Sequence, residues 1–227
     1  MGALTYADDL ALLAPTAQPM RKLLYICREY GNKFPITFNA TKSAWLYFGK
    51  TRKWCGRERQ SCVGDEVISR VSQYTHLGHI VSADLDDKCQ LSSKRNSLCG
   101  KINNVLCYFS KQDPVVKQKL LWSYCTDFYG SGLWDLTHPY VADVCIAWRK
   151  GLKRVWELPF RTHSAIVAPL CGMSPVRLEL ARRCAAFIVK CLYSSNDVVR
   201  SVATHGVYVR RMRSPPGVTP CTVQLCI

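Results

Sequence analysis

Between residues 141 and 156 the chain sets Val141, Val144, Cys145, Trp148, Leu152, Val155 and Trp156 at spacings of mostly three and four. Only an α-helix that buries one face gathers those positions into a single stripe. A strand would scatter the same residues over both sides of a sheet. The stripe therefore fixes this segment as helical, and it demands other helices to cover it. The sequence supplies them. Leu91, Leu98, Ile102, Val105 and Phe109 mark one helical face after Asp84. Asp113-Pro114 reads as a helix start, with the aspartate as N-cap and the proline in the first turn. Val116, Leu120, Leu121, Tyr124 and Phe128 continue it at helical spacing. Ser174-Pro175 opens a further helix with Val176, Leu180, Phe187 and Cys191. After Gly206 the pattern fails, and 206–227, with Ser214-Pro215-Pro216-Gly217, is expected to be a disordered tail.

Ahead of Asp84 the period is two. Residues 3–13 read as a strand, a turn over Ala7-Asp8-Asp9, and a second strand. Thr16 can cap a helix over 17–30, whose Met20, Leu23, Leu24 and Cys27 share a face. Gly31 is expected to stop it. Residues 35–49 read as a strand pair around the polar turn Asn39-Ala40-Thr41-Lys42, 50–66 as an exposed loop, and 67–81 as a hairpin across Gly78. The fold class is thus α+β: a hairpin-rich small sheet with one helix over 1–82, then helices over 83–139 and 140–205.

A chain of 227 residues can bury a sizeable core. It contains no apolar run of 18 residues, so no transmembrane helix is expected. No signal-peptide pattern opens it, and an intracellular location, cytoplasmic or nuclear, is expected. The 13 cysteines include no C-x-x-C and no zinc-like spacing. Cys107, Cys145 and Cys184 fall on apolar helix faces and read as reduced, buried small hydrophobes. The formal net charge is +15. It is concentrated late: residues 140–227 hold 13 basic and four acidic side chains. Such a surplus suits a polyanionic partner, nucleic acid above all, although it also suits a merely well-solvated surface.

Asp8-Asp9 is the chemical oddity of the chain. Two adjacent carboxylates at a turn repel each other unless divalent cations neutralise them. Mg²⁺ takes oxygen ligands and keeps sites open for phosphates, and two such ions can clamp an attacking hydroxyl and a leaving oxygen. Taken alone, the pair reads more readily as a solvated β-turn, since Asp is a common turn residue.

The order of motifs narrows this. Tyr6-Ala7-Asp8-Asp9 with Leu10-Ala11-Leu12-Leu13 resembles the palm hairpin of reverse transcriptases. Gly31 with Asn39-Ala40-Thr41-Lys42-Ser43 resembles their next palm motif. Tyr74-Thr75-His76-Leu77-Gly78-His79-Ile80 resembles the primer-grip hairpin, and Tyr129-Gly130-Ser131-Gly132-Leu133-Trp134 a thumb segment. Ala147-Trp148-Arg149-Lys150 through His163-Ser164 resembles the post-thumb region of LINE-type, non-LTR retrotransposon enzymes. The likeness runs over about residues 3–195. It implies an RNA-directed DNA polymerase in which Asp8 and Asp9 are catalytic and bind Mg²⁺. Tyr6, Leu77 and Gly78 would seat the primer end, and Lys42 would meet the incoming nucleotide's phosphates. Arg149, Lys150, Lys153 and Arg154 would contact an RNA/DNA template-primer, or else form a solvated helix face. No membrane and no other small-molecule cofactor is implied.

The chain departs from that family in one respect that matters. The family's palm draws a further metal-binding aspartate from a strand ahead of the Y-x-D-D hairpin, and only five residues precede Tyr6 here. Asp65, Asp84, Asp86 and Asp87 have the wrong sequence setting to replace it. The expectation is a catalytically incomplete palm–thumb fragment. A non-enzymatic basic nucleic-acid-binding fragment, and an open reading frame of a decayed element with no cellular role, remain the alternatives.

Overall fold

The computed structural model describes residues 2–48, 62–63, 66–211 and 222–226. The expected exposed loop over 50–66 therefore lies largely outside the described residues, as does Ser214-Pro215-Pro216-Gly217. The architecture is α+β, in two compact units: residues 1–86 with 216–227, and residues 87–215. No helix among the described residues is long and apolar enough to cross a membrane.

In the first unit, β1 (Gly2–Tyr6) and β2 (Asp9–Ala14) form an antiparallel hairpin with Tyr6 opposite Asp9. Helix α1 (Ala17–Lys33) follows. Then come β3 (Ala44–Tyr47), β4 (Cys62–Val63), β5 (Glu66–Val67), β6 (Ser69–Arg70), β7 (Gln73–His76) and β8 (His79–Ser82). A last strand, β9 (Thr222–Cys226), arrives from the far end of the chain. It lies between β2 and β3, antiparallel to both, so the sheet order is β1-β2-β9-β3-β6. The tail expected to be disordered from 206 onward thus contains a helix end and the middle strand of a sheet.

Period-two alternation builds this core. Leu12 and Ala14 of β2 and Trp45 of β3 pack with Met20 and Leu24 of α1 and with Ile68. Ala11 and Leu46, one residue out of phase, pack on the opposite face with Phe48, Val71 and Tyr74. Several boundaries differ from expectation. Thr16 has extended N-cap dihedrals but makes no side-chain cap bond. Helix α1 runs past Gly31 to Lys33, because Gly31 serves packing: a Cβ there would stand 2.9 Å from the Ile36 carbonyl. That close return leaves 36–38 irregular instead of a strand. The hairpin is β7–β8 alone, and Ser69–Arg70 pairs in parallel with β3.

The second unit is helical: α2 (Lys88–Tyr108), α3 (Pro114–Leu120), α4 (Pro139–Val155), α5 (Ser164–Leu170), α6 (Val176–Leu192) and α7 (Asp197–Arg211). The α4 stripe is buried as its spacing requires, with Val141, Val144, Leu152 and Val155 fully covered. It packs with Leu91, Leu98, Ile102 and Val105 of α2 and with Val176 and Leu180 of α6, so one core spans the 139/140 boundary. Asp113 caps α3 through a 2.7 Å bond from the Val115 N–H. The helical stripe expected to reach Phe128 does not persist. A π-helical turn over Leu121–Cys125 inserts an extra residue, so Leu121 and Cys125 are buried while Tyr124 is exposed. Cys145 and Cys184 are buried as expected, but Cys107 is exposed.

Candidate functional site

The Asp8-Asp9 pair sits at a two-residue hairpin loop. Tyr6 and Asp9 close the ladder, leaving Ala7 and Asp8 to make the reversal. Ala7 has φ 50°, in the left-handed region that disfavours any residue with a Cβ. Asp8 is exposed, Asp9 half-buried, and Tyr6 is 66% exposed. Hydrophobic alternation holds β2 down at Ala11, Leu12 and Ala14, so the carboxylates project from the end of an anchored strand. Neither has a hydrogen-bond or ion-pair partner among the described residues.

Register places a second expected residue at the same end of the sheet. Ala11 and Ala44 both lie opposite Leu225 of β9. The two strands therefore run parallel, and Asp9, the first residue of β2, and Lys42, two residues ahead of β3, both lie towards the same edge of the sheet. Lys42 closes an Asx-type turn: its N–H donates to Asn39 Oδ1 at 3.1 Å. Its carbonyl accepts from the Tyr74 hydroxyl at 3.3 Å, which ties this turn to hairpin β7–β8. At the tip of that hairpin Leu77 has φ 47° and Gly78 φ 74°. Two left-handed residues in a row make a type I′ loop, whose twist suits a hairpin. Gly78 fits it without strain; Leu77 does not.

Among the described residues no other carboxylate joins the pair. Asp84 Oδ1 accepts from the Asp86 N–H at 3.1 Å, and hydrogen bonds from Ser82 and Asp86 hold its carboxyl below the usual range. Asp87 belongs to the helical unit and accepts from the Asp135 N–H. Asp65 lies outside the described residues. Among the described residues no three His, Cys, Asp or Glu side chains gather as a metal site. Strand β9, which occupies the slot beside β2, reads Thr-Val-Gln-Leu-Cys and brings no side-chain carboxylate. Two carboxylates alone do not make the bridging set of a two-ion clamp, so the described residues do not fit that group.

The four cations expected to share one face of α4 divide. Lys153 Nζ donates to the carbonyls of Phe160 at 2.8 Å and Thr162 at 2.7 Å. It fastens the segment that leads into α5, where the His163 Nδ1 caps the helix by accepting from the Ala165 N–H. Arg149 lies one turn from Cys145 and shares its neighbourhood with Arg177. Lys150 and Arg154 remain exposed and line a groove with Arg95 and Asn103 of α2. Sequence reasoning missed Arg95 and Asn103. The available signal was their position on the rim of the Leu98–Ile102 stripe, next to the face that must meet α4.

No family model matches the chain, nor does any curated protein or solved structure.

Proposed function

We propose that this chain is a palm–thumb piece of a non-LTR retrotransposon reverse transcriptase that binds nucleic acid and does not polymerise by itself. The carrying observation is the opening hairpin. An exposed Tyr-Ala-Asp-Asp loop, strained at Ala7, tops an otherwise well-anchored strand. The turn geometry alone accounts for the φ of Ala7; the acidic pair at the tip, which makes no hydrogen bond or ion pair among the described residues, is what inherited chemistry explains. Lys42, in the turn ahead of β3 at the same edge of the sheet as Asp9, suits a nucleotide-phosphate role. Tyr6, Leu77 and Gly78 would seat a primer end. Among the described residues Mg²⁺ would meet only Asp8 and Asp9, so no chemical step is assigned to it.

The non-enzymatic reading draws on a separate observation. The cations Arg95, Lys150 and Arg154 are presented together on the helical unit, whatever the state of the acidic hairpin. Both readings require binding through phosphates. With about four to six contacts on duplex, log affinity should fall with log salt at a slope of roughly −4 to −5. Fluorescence anisotropy of the full chain with a labelled RNA/DNA hybrid at several salt concentrations measures it. Affinity that ignores salt would contradict the proposal.

A further inference from the structure

The groove between α2 and α4 holds about 510 Å³. Within it the helices approach closely: a Cβ on Gly151 would stand 2.8 Å from Ile102 Cδ1. Arg95, Lys150 and Arg154 stand around the opening, with Asp143 as the one acid in its lining. Arg154 Nη1 donates to Asn103 Oδ1 at 2.6 Å, which holds the guanidinium in one place before any ligand arrives. A held fork loses less freedom on binding an anion. The net charge of these groups selects an anionic occupant.

Shape selects further. No aromatic side chain lines the groove, so it offers no platform on which a base could stack. Its volume is that of a small-molecule site, enough for part of one strand and too small for a duplex. From Arg95 to Asn103 the α2 wall runs about 12 Å. The wall is long enough to meet more than one successive phosphate of a single strand. We propose that the groove is a track for the phosphate backbone of a single nucleic-acid strand, gripped by Arg95, Lys150 and Arg154. The assignment rests on the nucleic-acid reading above and narrows it: Arg95 joins the interface and Lys153 leaves it.

The test uses the full chain and a labelled oligo(dT) of about a dozen nucleotides, with anisotropy read between about 50 and 200 mM salt. Changing Arg95→Gln, Lys150→Gln and Arg154→Gln together should flatten the salt slope by about 2, at roughly 0.7 per lost contact. Changing Lys111→Gln, Lys119→Gln and Lys190→Gln together removes equal charge outside the groove and should alter the slope by less than about 1. Ile146→Glu adds a carboxylate at an exposed lining position without removing a cation, and should weaken binding about tenfold or more. Equal losses in the two triple variants, or an unaffected Ile146→Glu, would overturn the groove and leave the general reading standing. A wild-type chain without salt-dependent binding would overturn both. Tighter binding to a duplex of the same length would overturn the single-strand assignment.

Discussion

Lys153 shows how a side chain with an evident electrostatic role can be engaged elsewhere. Its position among basic neighbours on α4 suggests a phosphate contact, yet its ammonium lies between the carbonyls of Phe160 and Thr162. A charged donor satisfying two carbonyls contributes more than a neutral one. Lys153→Met keeps most of the apolar stem and removes the charge. It should lower unfolding free energy by about 1–3 kcal/mol, read in urea, while leaving the salt slope of nucleic-acid binding unchanged. A flattened slope at unchanged stability would return Lys153 to the interface. Lys150, three residues before Lys153, and Arg154, one residue after it, line the groove instead. Sequence gives the charge and the helical phase. It does not give the loop carbonyls, because Phe160 and Thr162 reach Lys153 only through the path of the chain after Trp156.

At the scale of elements, the Tyr129–Trp134 segment shows what its glycines do. Gly130 has φ 80° and leads into a short 3-10 turn over Ser131–Leu133. Gly132 has a different reason: a Cβ there would stand 2.9 Å from Phe187 Cβ on α6. That atom is fixed to the helix backbone and cannot swing aside. Gly132→Ala should therefore destabilise the helical unit by about 1–3 kcal/mol. In a Phe187→Gly background, which removes that Cβ, most of the penalty should vanish, a coupling that a double-mutant cycle in urea would measure. Additive effects would mean that α6 does not press on the turn. The helices themselves were legible: α4's stripe is buried as its spacing requires, and Asp113 caps α3. The π-helical turn was not. One extra residue between Leu121 and Cys125 shifts the buried phase, and no residue type announces such an insertion. The failed strand at 35–38 has a similar origin, since Gly31 lets the chain fold back against α1 at a distance no pairwise pattern encodes.

For the molecule as a whole, strand β9 governs the first unit. Strands β2 and β3 meet only through it, so a segment without helical period near the chain's end is the bridge of the sheet. Removing residues 216–227 should strip amide-exchange protection from β2 and β3 and leave α2 and α4 protected. Unchanged protection in β2 would contradict this topology. The pairing was hidden because 175 residues or more separate β9 from its partners, the nearest pair being Tyr47 and Thr222, and local pattern carries no information about such contacts. The acidic hairpin, by contrast, was legible from Tyr6-Ala7-Asp8-Asp9 and its flanking alternation alone.

Strand β9 also bears on activity, because it stands beside the Asp8-Asp9 hairpin and carries no carboxylate. The proposed function requires that the chain bind nucleic acid and that its acidic pair be too small to work. Primer extension by the full chain on an RNA template with an annealed DNA primer tests it most directly, with Mg²⁺ and then Mn²⁺, beside the Asp8→Asn variant. The account predicts salt-sensitive binding of the template-primer and no extended product from either protein. Extension by the wild-type chain that Asp8→Asn abolishes would contradict it.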